Sequence, residues 1–251
     1  KVISVQQNNT FVTLQYDFAG NPDSLNAALL VAADGAGSSV REHLGITAET
    51  MEYNQAAIVT NVKIKQPSTG CAFERFTADG PLALLPLPNQ RYALVWTNTP
   101  LRTDALMQSS DAVFMQQLYR KFGYRLGLFE QIGTRVRFDL KLTRASRLTA
   151  GRAVLIGNAA NSLHPVAGQG FNLALRDIGV LFDLMSGRDL YSDQLQAQLE
   201  LYQQKRADDQ NQAVTYGNGL VELFSNNIPV LSHLRAGALA ALDLCPLIKQ
   251  E

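Results

Sequence analysis

Two kinds of hydrophobic pattern open the chain. Over residues 1–16 apolar and polar positions alternate on either side of Asn8-Asn9, which predicts a β-hairpin with a tight turn. A polar loop is expected at 20–23. The run 27–33 is apolar at every position, which is typical of a strand that is buried on both faces in a parallel sheet.

A short helix is expected directly after this buried run. Ser39 and Glu42 stand three residues apart, as in a capping box, and Gly45 is a typical stop at the C-terminal end of a helix. The loop that joins the strand to the helix, 34–37, has the sequence Asp-Gly-Ala-Gly.

Short strands dominate the middle of the chain. Ile58, Val62 and Ile64 share one face of a strand whose other face is polar, and several short strands at close spacing indicate an antiparallel sheet. The further predictions here are strands at 71–76, 82–85, 92–97 and 134–142, and a helix at 111–122. In the strand at 134–142 apolar and polar residues alternate without exception, so one face is expected to be buried.

The last hundred residues are mainly helical after one more buried strand at 153–156. An amphipathic helix is predicted from Phe171 to Gly187, and a longer polar helix from Ser192 to about residue 214. The predicted fold is therefore α/β in a partial, Rossmann-like parallel layer and α+β as a whole, with an antiparallel sheet and C-terminal helices. The predicted segments are 1–48, 49–142, 143–190 and 191–251.

Composition excludes several classes of function. Hydrophobic residues make up 46% of the chain and charged residues 18%, so a sizeable core is possible. Lys and Arg together number 22, as do Asp and Glu, and a neutral chain argues against broad nucleic-acid binding. Two cysteines cannot form a disulfide framework and suit a reducing compartment. No apolar run approaches the roughly 18 residues of a membrane span, and no metal site is predicted.

Two loops carry the candidate chemistry. Asp34-Gly35 follows a buried strand and precedes a helix, which is where open α/β sheets bind ligands. The second loop begins with Gly157-Asn158 after the strand at 153–156 and ends with Gly-Gln-Gly at 168–170, where a helix starts. Glycines let a ligand approach the backbone, and the N–H groups of a helix N-terminus stabilise negative charge on a bound ring or phosphate.

Together the two loops resemble one family. The second loop, with Leu-His-Pro at 163–165 and Gly-Gln-Gly-Phe-Asn at 168–172, resembles the strand-loop-helix motif of the flavoprotein aromatic hydroxylases related to p-hydroxybenzoate hydroxylase. The first loop resembles the Asp-Gly motif that precedes it in the same family. The segments 74–76 and 80–87 are similar to those of the ubiquinone-biosynthesis branch. The resemblance covers essentially the whole chain.

This resemblance implies a function. Members are FAD-dependent monooxygenases that use NAD(P)H and O₂ and pass an oxygen atom through a C4a-hydroperoxyflavin to a phenol. In the ubiquinone branch the substrate would be a polyprenylated phenol. The resemblance also implies a cytoplasmic enzyme with no nucleic-acid partner, working with other ubiquinone-biosynthesis proteins and in peripheral contact with the inner membrane. Two alternatives stay open: a hydroxylase of a small soluble phenol, and a non-catalytic member of a biosynthetic complex.

The resemblance also assigns roles to residues. FAD binding falls to Asp34, Gly35, Arg41, Gly157, Asn158, Gly168, Gln169, Gly170, Phe171 and Asn172. Catalysis falls to His164 and Pro165, and the substrate side of the flavin ring to Arg75, Phe76, Leu84 and Pro86. Other interpretations stay open for His164 as a structural histidine in a turn, for Arg75 as a solvated strand charge, and for 219–248 as either a membrane-contacting or an ordinary packed segment.

The chain departs from the family pattern at two points. Most members carry Asp where this chain has Asn158, and that carboxylate holds the flavin ribose; an Asn side chain can still accept and donate a hydrogen bond. No Gly-x-Gly-x-x-Gly is present, and in the family this motif lies in an N-terminal βαβ unit that binds the ADP half of FAD. We therefore expect the chain to be the C-terminal part of the enzyme and to be inactive alone.

Overall fold

The computed structural model describes residues 1–66, 70–163 and 169–224. This part of the chain divides into two compact units. The first joins Lys1–Tyr53 to Lys141–Asn218, and the second is built on Asn54–Leu140. Each unit has its own hydrophobic core.

Strands and short helices alternate in the first two thirds of the chain, and long helices follow. The strands are β1 Val2–Gln7, β2 Val12–Phe18, β3 Asn21–Ala27, β4 Leu30–Ala32, β5 Ala48–Ile64, β6 Phe73–Thr77, β7 Gly80–Leu87, β8 Arg91–Asn98, β9 Phe129–Ile132, β10 Val136–Ala145, β11 Thr149–Ala150, β12 Ala153–Leu155 and β13 Asn161–Ser162. The α-helices are α1 Ser39–His43, α2 Pro100–Gln108, α3 Asp111–Phe122, α4 Gln169–Met185 and α5 Gln194–Phe224, and a 3-10 turn covers Gly157–Ala159.

The first unit contains two small sheets. β1, β2 and β3 form an antiparallel meander, as the hairpin pattern at the start of the chain predicts for its first two strands. β12 pairs antiparallel with β11 on one side and parallel with β4 on the other, with Leu155 opposite Ala32. The predicted parallel layer is therefore confirmed, and its strands pack against residues of α4 and α5 in one core.

The prediction for residues 20–33 is wrong in two respects. Residues 21–27 form β3 and not a polar loop, because a turn with positive φ at Ala19-Gly20 reverses the chain and lets it pair with β2. The buried strand is also shorter than its apolar run. Val31 is 42% exposed. Its strand, β4, is an edge strand of the sheet and pairs with only one neighbour, β12.

Helix α1 begins one residue earlier than the sequence suggests. The capping residue is Ser38 and not Ser39: its hydroxyl oxygen accepts a hydrogen bond from the backbone N–H of Arg41 at 3.0 Å. The predicted stop is confirmed, because Gly45 has φ = 64° and follows directly after the end of the helix.

The inward face of α4 differs from the predicted one. Helical spacing predicts an apolar face made of Phe171, Ala174, Leu175, Ile178, Leu181 and Met185. Of these, Leu181 is buried as predicted, but Phe171 is 72% exposed and Leu175 and Ile178 are also exposed. The buried residues of the helix are Leu173, Asp177, Leu181 and Leu184. Because α4 carries apolar residues on two sides, periodicity identifies the helix without deciding which side packs on the core.

The large sheet has the strand order β13-β10-β5-β8-β7-β6, and β9 also pairs with β5. The predicted alternation in β5 is confirmed, since Ile58, Val62 and Ile64 are buried while Asn61 and Lys63 are exposed. The predicted burial of one face of β10 is wrong for its first half, where Val136 and Phe138 are exposed. Alternation in β10 therefore predicts which residues share a face, but it does not predict whether another element buries that face.

In the second unit β5, β6, β7 and β8 present two different faces. The core face packs on α2 and α3, with the rings of Trp96 and Phe114 in edge contact at 5.4 Å between centroids. Helix α3 has the predicted bounds, and Gly123 ends it at φ = 86°. Helix α2 was missed because only Thr103 and Leu106 are buried, too few to form a periodic stripe.

Among the described residues, the core cluster of this unit takes its helix residues from α2 and α3 on the core face, and none from the opposite face of the sheet. Cross-strand pairing places Val59 beside Val95, and Val95 beside Ala83, on this side. Alternation adds further apolar residues from β6, β7 and β8, and most of them are partly or fully exposed. We call this surface the open face; it consists of Val59, Phe76, Ala83, Leu85, Ala93 and Val95.

Candidate functional site

The two predicted loops lie at the same edge of the parallel layer. β4 and β12 are parallel neighbours, so the chain leaves both strands on the same side of the sheet. Asp34-Gly35 follows β4, and Gly157-Asn158 follows β12. Two segments that are more than 120 positions apart in the sequence thus form one candidate site, as their resemblance to one family's motifs predicts.

Arg41 joins these loops directly. Its Nη1 donates to the carbonyl oxygen of Ala159 at 2.9 Å, and its Nη2 donates to the carbonyl oxygen of Ala36 at 2.9 Å. The side chain is buried, and two of its donors are engaged by the protein itself. Arg41 is among the residues predicted to bind FAD, and the structure places its guanidinium between the two loops.

Asp34 is also used within the protein. One oxygen of its carboxylate accepts from the hydroxyl of Ser38, and the other accepts from the backbone N–H of Val40 at 3.1 Å. Both donors belong to the first turn of α1, where a carboxylate is stabilised by the unpaired N–H groups of the helix end. Asp34 therefore fixes the loop to α1, and the neighbouring Gly35 presents backbone to the surface.

Glycines leave room for a ligand along this edge. A Cβ atom built on Gly35, Gly37 or Gly170 would meet no heavy atom within 4 Å, so the backbone is accessible at all three positions. Gly35 also has φ = 92°, a conformation that other residues rarely adopt. Asn158 is exposed beside this accessible backbone. These residues fit a flat or phosphorylated ligand that approaches the main chain closely.

Asn161 is an unusual neighbour of this loop. Its side chain is buried, and neither its Oδ1 nor its Nδ2 has a hydrogen-bond partner in the described part of the protein. An unpaired buried amide costs free energy, so such groups commonly have a ligand or ordered water as partner. Sequence reasoning missed Asn161, because its burial without a partner is a property of the tertiary structure and leaves no local sequence signal.

A buried ion pair between Asp177 on α4 and Arg206 on α5 holds the turn after β12. The backbone N–H of Gly157 donates to Asp177 Oδ2 at 2.9 Å, and Arg206 Nε donates to Asp177 Oδ1 at 2.8 Å. Burial lowers the pKa of Arg206, but the hydrogen bonds and charges of Asp177 and Asp209 outweigh it and leave the pKa above its ordinary value. Arg206 therefore stays a cation. The sequence offered no signal for this pair beyond two charges on helices.

The remaining predicted FAD residues lie at the start of α4 or outside the described residues. Gln169 and Gly170 form the first turn of α4, and Phe171 and Asn172 are exposed there. The helix contacts the loop after β12, since a Cβ atom on Gly157 would lie 3.5 Å from that of Ala174. The predictions for His164, Pro165 and Gly168 fall outside the residues that the structure describes.

The four predicted substrate residues do not form one surface. Leu84 is completely buried in the core of the second unit, so its side chain is not accessible at the surface. Arg75 and Pro86 lie on the core face with it, and Arg75 Nη1 donates to the carbonyl oxygen of Phe122 at 2.8 Å. Phe76 alone lies on the open face. Strand alternation separates residues that the motif had grouped by sequence.

Comparison with known proteins identifies the family of this chain. The family described as an FAD binding domain matches residues 1–216 of the chain. The chain belongs to the FAD binding domain family.

Among curated relatives, ubiquinone hydroxylase UbiL of Rhodospirillum rubrum is 39% identical over 227 residues, covering 89% of this chain and 53% of the relative. The 3-demethoxyubiquinol 3-hydroxylase of Escherichia coli is 31% identical over 230 residues, covering 90% of this chain and 58% of the relative. The chain thus spans a little over half the length of the curated relatives that it matches.

Solved structures of low identity share the fold. The p-nitrophenol 4-monooxygenase PnpA of Pseudomonas putida superposes with a TM-score of 0.74 at 19% identity, over 95% of this chain and 60% of that one. HpxO of Klebsiella pneumoniae, solved with FAD and uric acid, gives a TM-score of 0.73 at 22% identity, over 95% of this chain and 61% of that one. The predicted fold class is confirmed.

No described helix combines the length and the apolar character that a membrane span requires. Across the same residues, His, Cys, Asp and Glu form no group of three or more that could hold a metal ion.

Proposed function

We propose that this chain belongs to a flavin-dependent monooxygenase that hydroxylates a polyprenylated phenol in ubiquinone biosynthesis, with NAD(P)H as reductant and O₂ as oxidant. The observation that carries the proposal is that Arg41 joins the two loops that follow the parallel strands β4 and β12. The names of the curated relatives support the choice of substrate.

The cofactor would be bound mainly by backbone and amide groups. Gly35 and Gly170 offer accessible main chain for a close approach, and Asn158 would hold a ribose hydroxyl. The N-terminal end of α4 would stabilise negative charge on a reduced ring, because the first N–H groups of a helix point outward unpaired. When bound, FAD supplies the redox chemistry that transfers one oxygen atom to the phenol.

The open face of the second unit would contact the apolar part of the substrate. Its residues are aliphatic or aromatic, and Leu85 is 45% exposed at its rim. A contiguous exposed apolar surface commonly marks a binding site in a folded protein. We include Phe76 in this surface and leave out Leu84, Arg75 and Pro86, which lie on the core face.

The polyprenyl chain of such a substrate resides in a bilayer, so the enzyme would act in the cytoplasm at the surface of the inner membrane. Contact with other ubiquinone-biosynthesis proteins would let apolar intermediates pass from one enzyme to the next without crossing water. These partners follow from the chemistry of the substrate. The alternative of a small soluble phenol predicts no dependence on the prenyl chain.

The test is to express the protein as its gene encodes it, measure bound FAD by absorbance, and assay NAD(P)H-dependent hydroxylation with prenylated and non-prenylated phenols. We expect a yellow protein that prefers the prenylated substrate. Equal turnover of both phenols would favour the small-phenol hydroxylase. A colourless protein that takes up no added FAD would refute the proposal and favour a non-catalytic member of a complex.

A matched pair of variants tests the open face. Leu85→Glu places a charge on this face and should raise KM for the prenylated phenol about tenfold or more, with little change for a short phenol, because a buried apolar contact is worth about 1.5–3 kcal/mol. Leu101→Glu is the control, since Leu101 is 85% exposed on α2 and lies outside the open face. Equal KM values for the two variants would place the substrate elsewhere.

A further inference from the structure

A buried ion pair connects helices α4 and α5 behind the candidate site. The side chains of Asp177 and Arg206 are 1% and 3% exposed. Gln210 on α5 adds a third polar group, with its Nε2 3.3 Å from Asp177 Oδ1. Neither charge reaches the surface on which the cofactor would lie, so the proposed chemistry does not use them directly.

Stability alone is a weak reason for such a pair. Removing two charges from water costs about as much as their attraction returns, and apolar residues of similar volume often serve equally well or better. The first unit already has a continuous apolar core around β12, α4 and α5. A second role would account for a polar pair in this place.

The contacts of Asp177 indicate that role. One carboxylate oxygen faces Arg206, and the other accepts the backbone N–H of Gly157 at 2.9 Å. Gly157 has φ = 57° and directly precedes Asn158, so its peptide orientation sets where the Asn158 side chain points. The carboxylate of Asp177, 20 positions later in the chain and on α4, therefore fixes the first residue of the loop.

Arg206 in turn holds Asp177 in one orientation. Its Nε donates to Asp177, its Nη1 to Asp209, and its Nη2 lies 3.4 Å from the carbonyl oxygen of Leu173. A planar guanidinium with partners on three sides cannot rotate without breaking several hydrogen bonds. The position of α5 is thus transmitted through Asp177 to the loop after β12.

We infer that Asp177 and Arg206 are positioning residues for the cofactor: they hold Gly157, and through it Asn158, in the arrangement that contacts the FAD ribose. The inference rests on the proposed function, since it needs FAD at this loop. Neither residue touches the cofactor, and both act through the backbone of Gly157.

The main test separates positioning from stability. The double variant Asp177→Leu/Arg206→Met, made in the protein as its gene encodes it, replaces the ion pair with an apolar pair. We expect the unfolding midpoint without FAD to fall only modestly. Water can solvate the freed N–H of the half-buried Gly157, whereas the buried Gln210 loses its acceptor. We expect FAD affinity, from flavin fluorescence, to fall about 10- to 100-fold, the range for groups that orient ligating residues in metal sites.

Arg176→Gln is the matched control. Arg176 precedes Asp177 on α4 and forms an ion pair with Asp209 on α5. Its side chain is 47% exposed, and its Nε lies 3.4 Å from the carbonyl oxygen of Asn172 one turn earlier on the same helix. Its loss should leave FAD affinity unchanged. If the double variant does not fold, Arg206→Lys replaces it. A lysine keeps a cation beside Asp177 but loses the planar set of donors that fixes the carboxylate, so FAD affinity should still fall, and wild-type affinity would overturn the inference.

Coupling to Asn158 gives a readout that a purely structural role would not move. If the ion pair acts through the loop, adding Asn158→Leu to the double variant should weaken FAD binding little beyond Asn158→Leu alone. Independent effects would multiply. Multiplied losses, or wild-type FAD affinity in the folded double variant, would overturn the inference while leaving the proposed function intact. Failure of the wild-type protein to bind FAD would refute both.

Discussion

Replacing Arg41 tests whether the two loops depend on one side chain. In Arg41→Met the carbonyl oxygens of Ala159 and Ala36 lose their guanidinium donors, each 2.9 Å away in the wild type. Ala159 is fully buried, so its carbonyl stays unpaired, whereas Ala36 is exposed and water can replace the lost donor. Methionine retains most of the apolar volume of the arginine stem.

The magnitude follows from these two environments. A buried hydrogen bond to a charged donor contributes about 1.5–3 kcal/mol, and one whose acceptor can be rehydrated about 0.5–1 kcal/mol. We therefore expect Arg41→Met to lower the free energy of unfolding by about 2–4 kcal/mol, a large fraction of the roughly 5–15 kcal/mol typical of folded proteins. In Arg41→Lys the ammonium can donate to one carbonyl at a time, so its free energy of unfolding should lie between those of the wild type and Arg41→Met.

The assay is urea unfolding at equilibrium, paired with FAD titration of each variant. The control is Glu42→Gln, which changes the adjacent exposed residue on α1 and should leave both quantities unaltered. FAD affinity should fall in Arg41→Met, because the two loops would no longer be tied to each other. Unfolding of Arg41→Met at the wild-type urea concentration would show that the bridge contributes nothing and would refute this reasoning.

Three further predictions concern single residues. Asn158→Asp should keep FAD, and Asn158→Leu should lose about 1–3 kcal/mol of binding, or about 5- to 150-fold in affinity, measured by fluorescence titration. Gly170→Val should fold, since its Cβ meets open space, yet bind FAD poorly and nearly lose hydroxylation. Burial and the charge of Asp177 raise the pKa of the Tyr202 phenol well above its ordinary value of about 10. The unfolded state then releases this proton first, so the free energy of unfolding should fall by about 1.4 kcal/mol per pH unit above about pH 10.

Each of these predictions has an outcome that contradicts it. Equal flavin occupancy in wild type and Asn158→Leu would remove Asn158 from the cofactor site. Wild-type flavin content and turnover in Gly170→Val would mean that the ring does not approach this backbone. For the phenol, Tyr202→Phe is the reference: it should show a shallower alkaline loss of stability, and identical slopes would assign that loss to other groups.

Motifs and their spacing were enough to predict the two loops of the candidate site. The Asp-Gly and Gly-Asn loops follow buried strands, and their shared edge could be predicted from the rule for parallel sheets, as β4 and β12 confirm. The substrate residues could not be grouped in the same way. Phe76 and Leu84 lie on opposite faces because side chains alternate along a strand and because pairing fixes the register, which a motif does not contain.

The sequence by itself determined the family motifs, the parallel layer, the antiparallel sheet and the bounds of α3, because local periodicity and turn chemistry specify them. Tertiary structure alone decided which side of α4 is buried, since the helix is apolar on two sides and only packing selects one. It also decided the use of Asp34, Arg41, Asp177 and Arg206. Their partners are backbone groups and charges brought together by the fold, and the distance between such groups along the chain leaves no trace in local sequence.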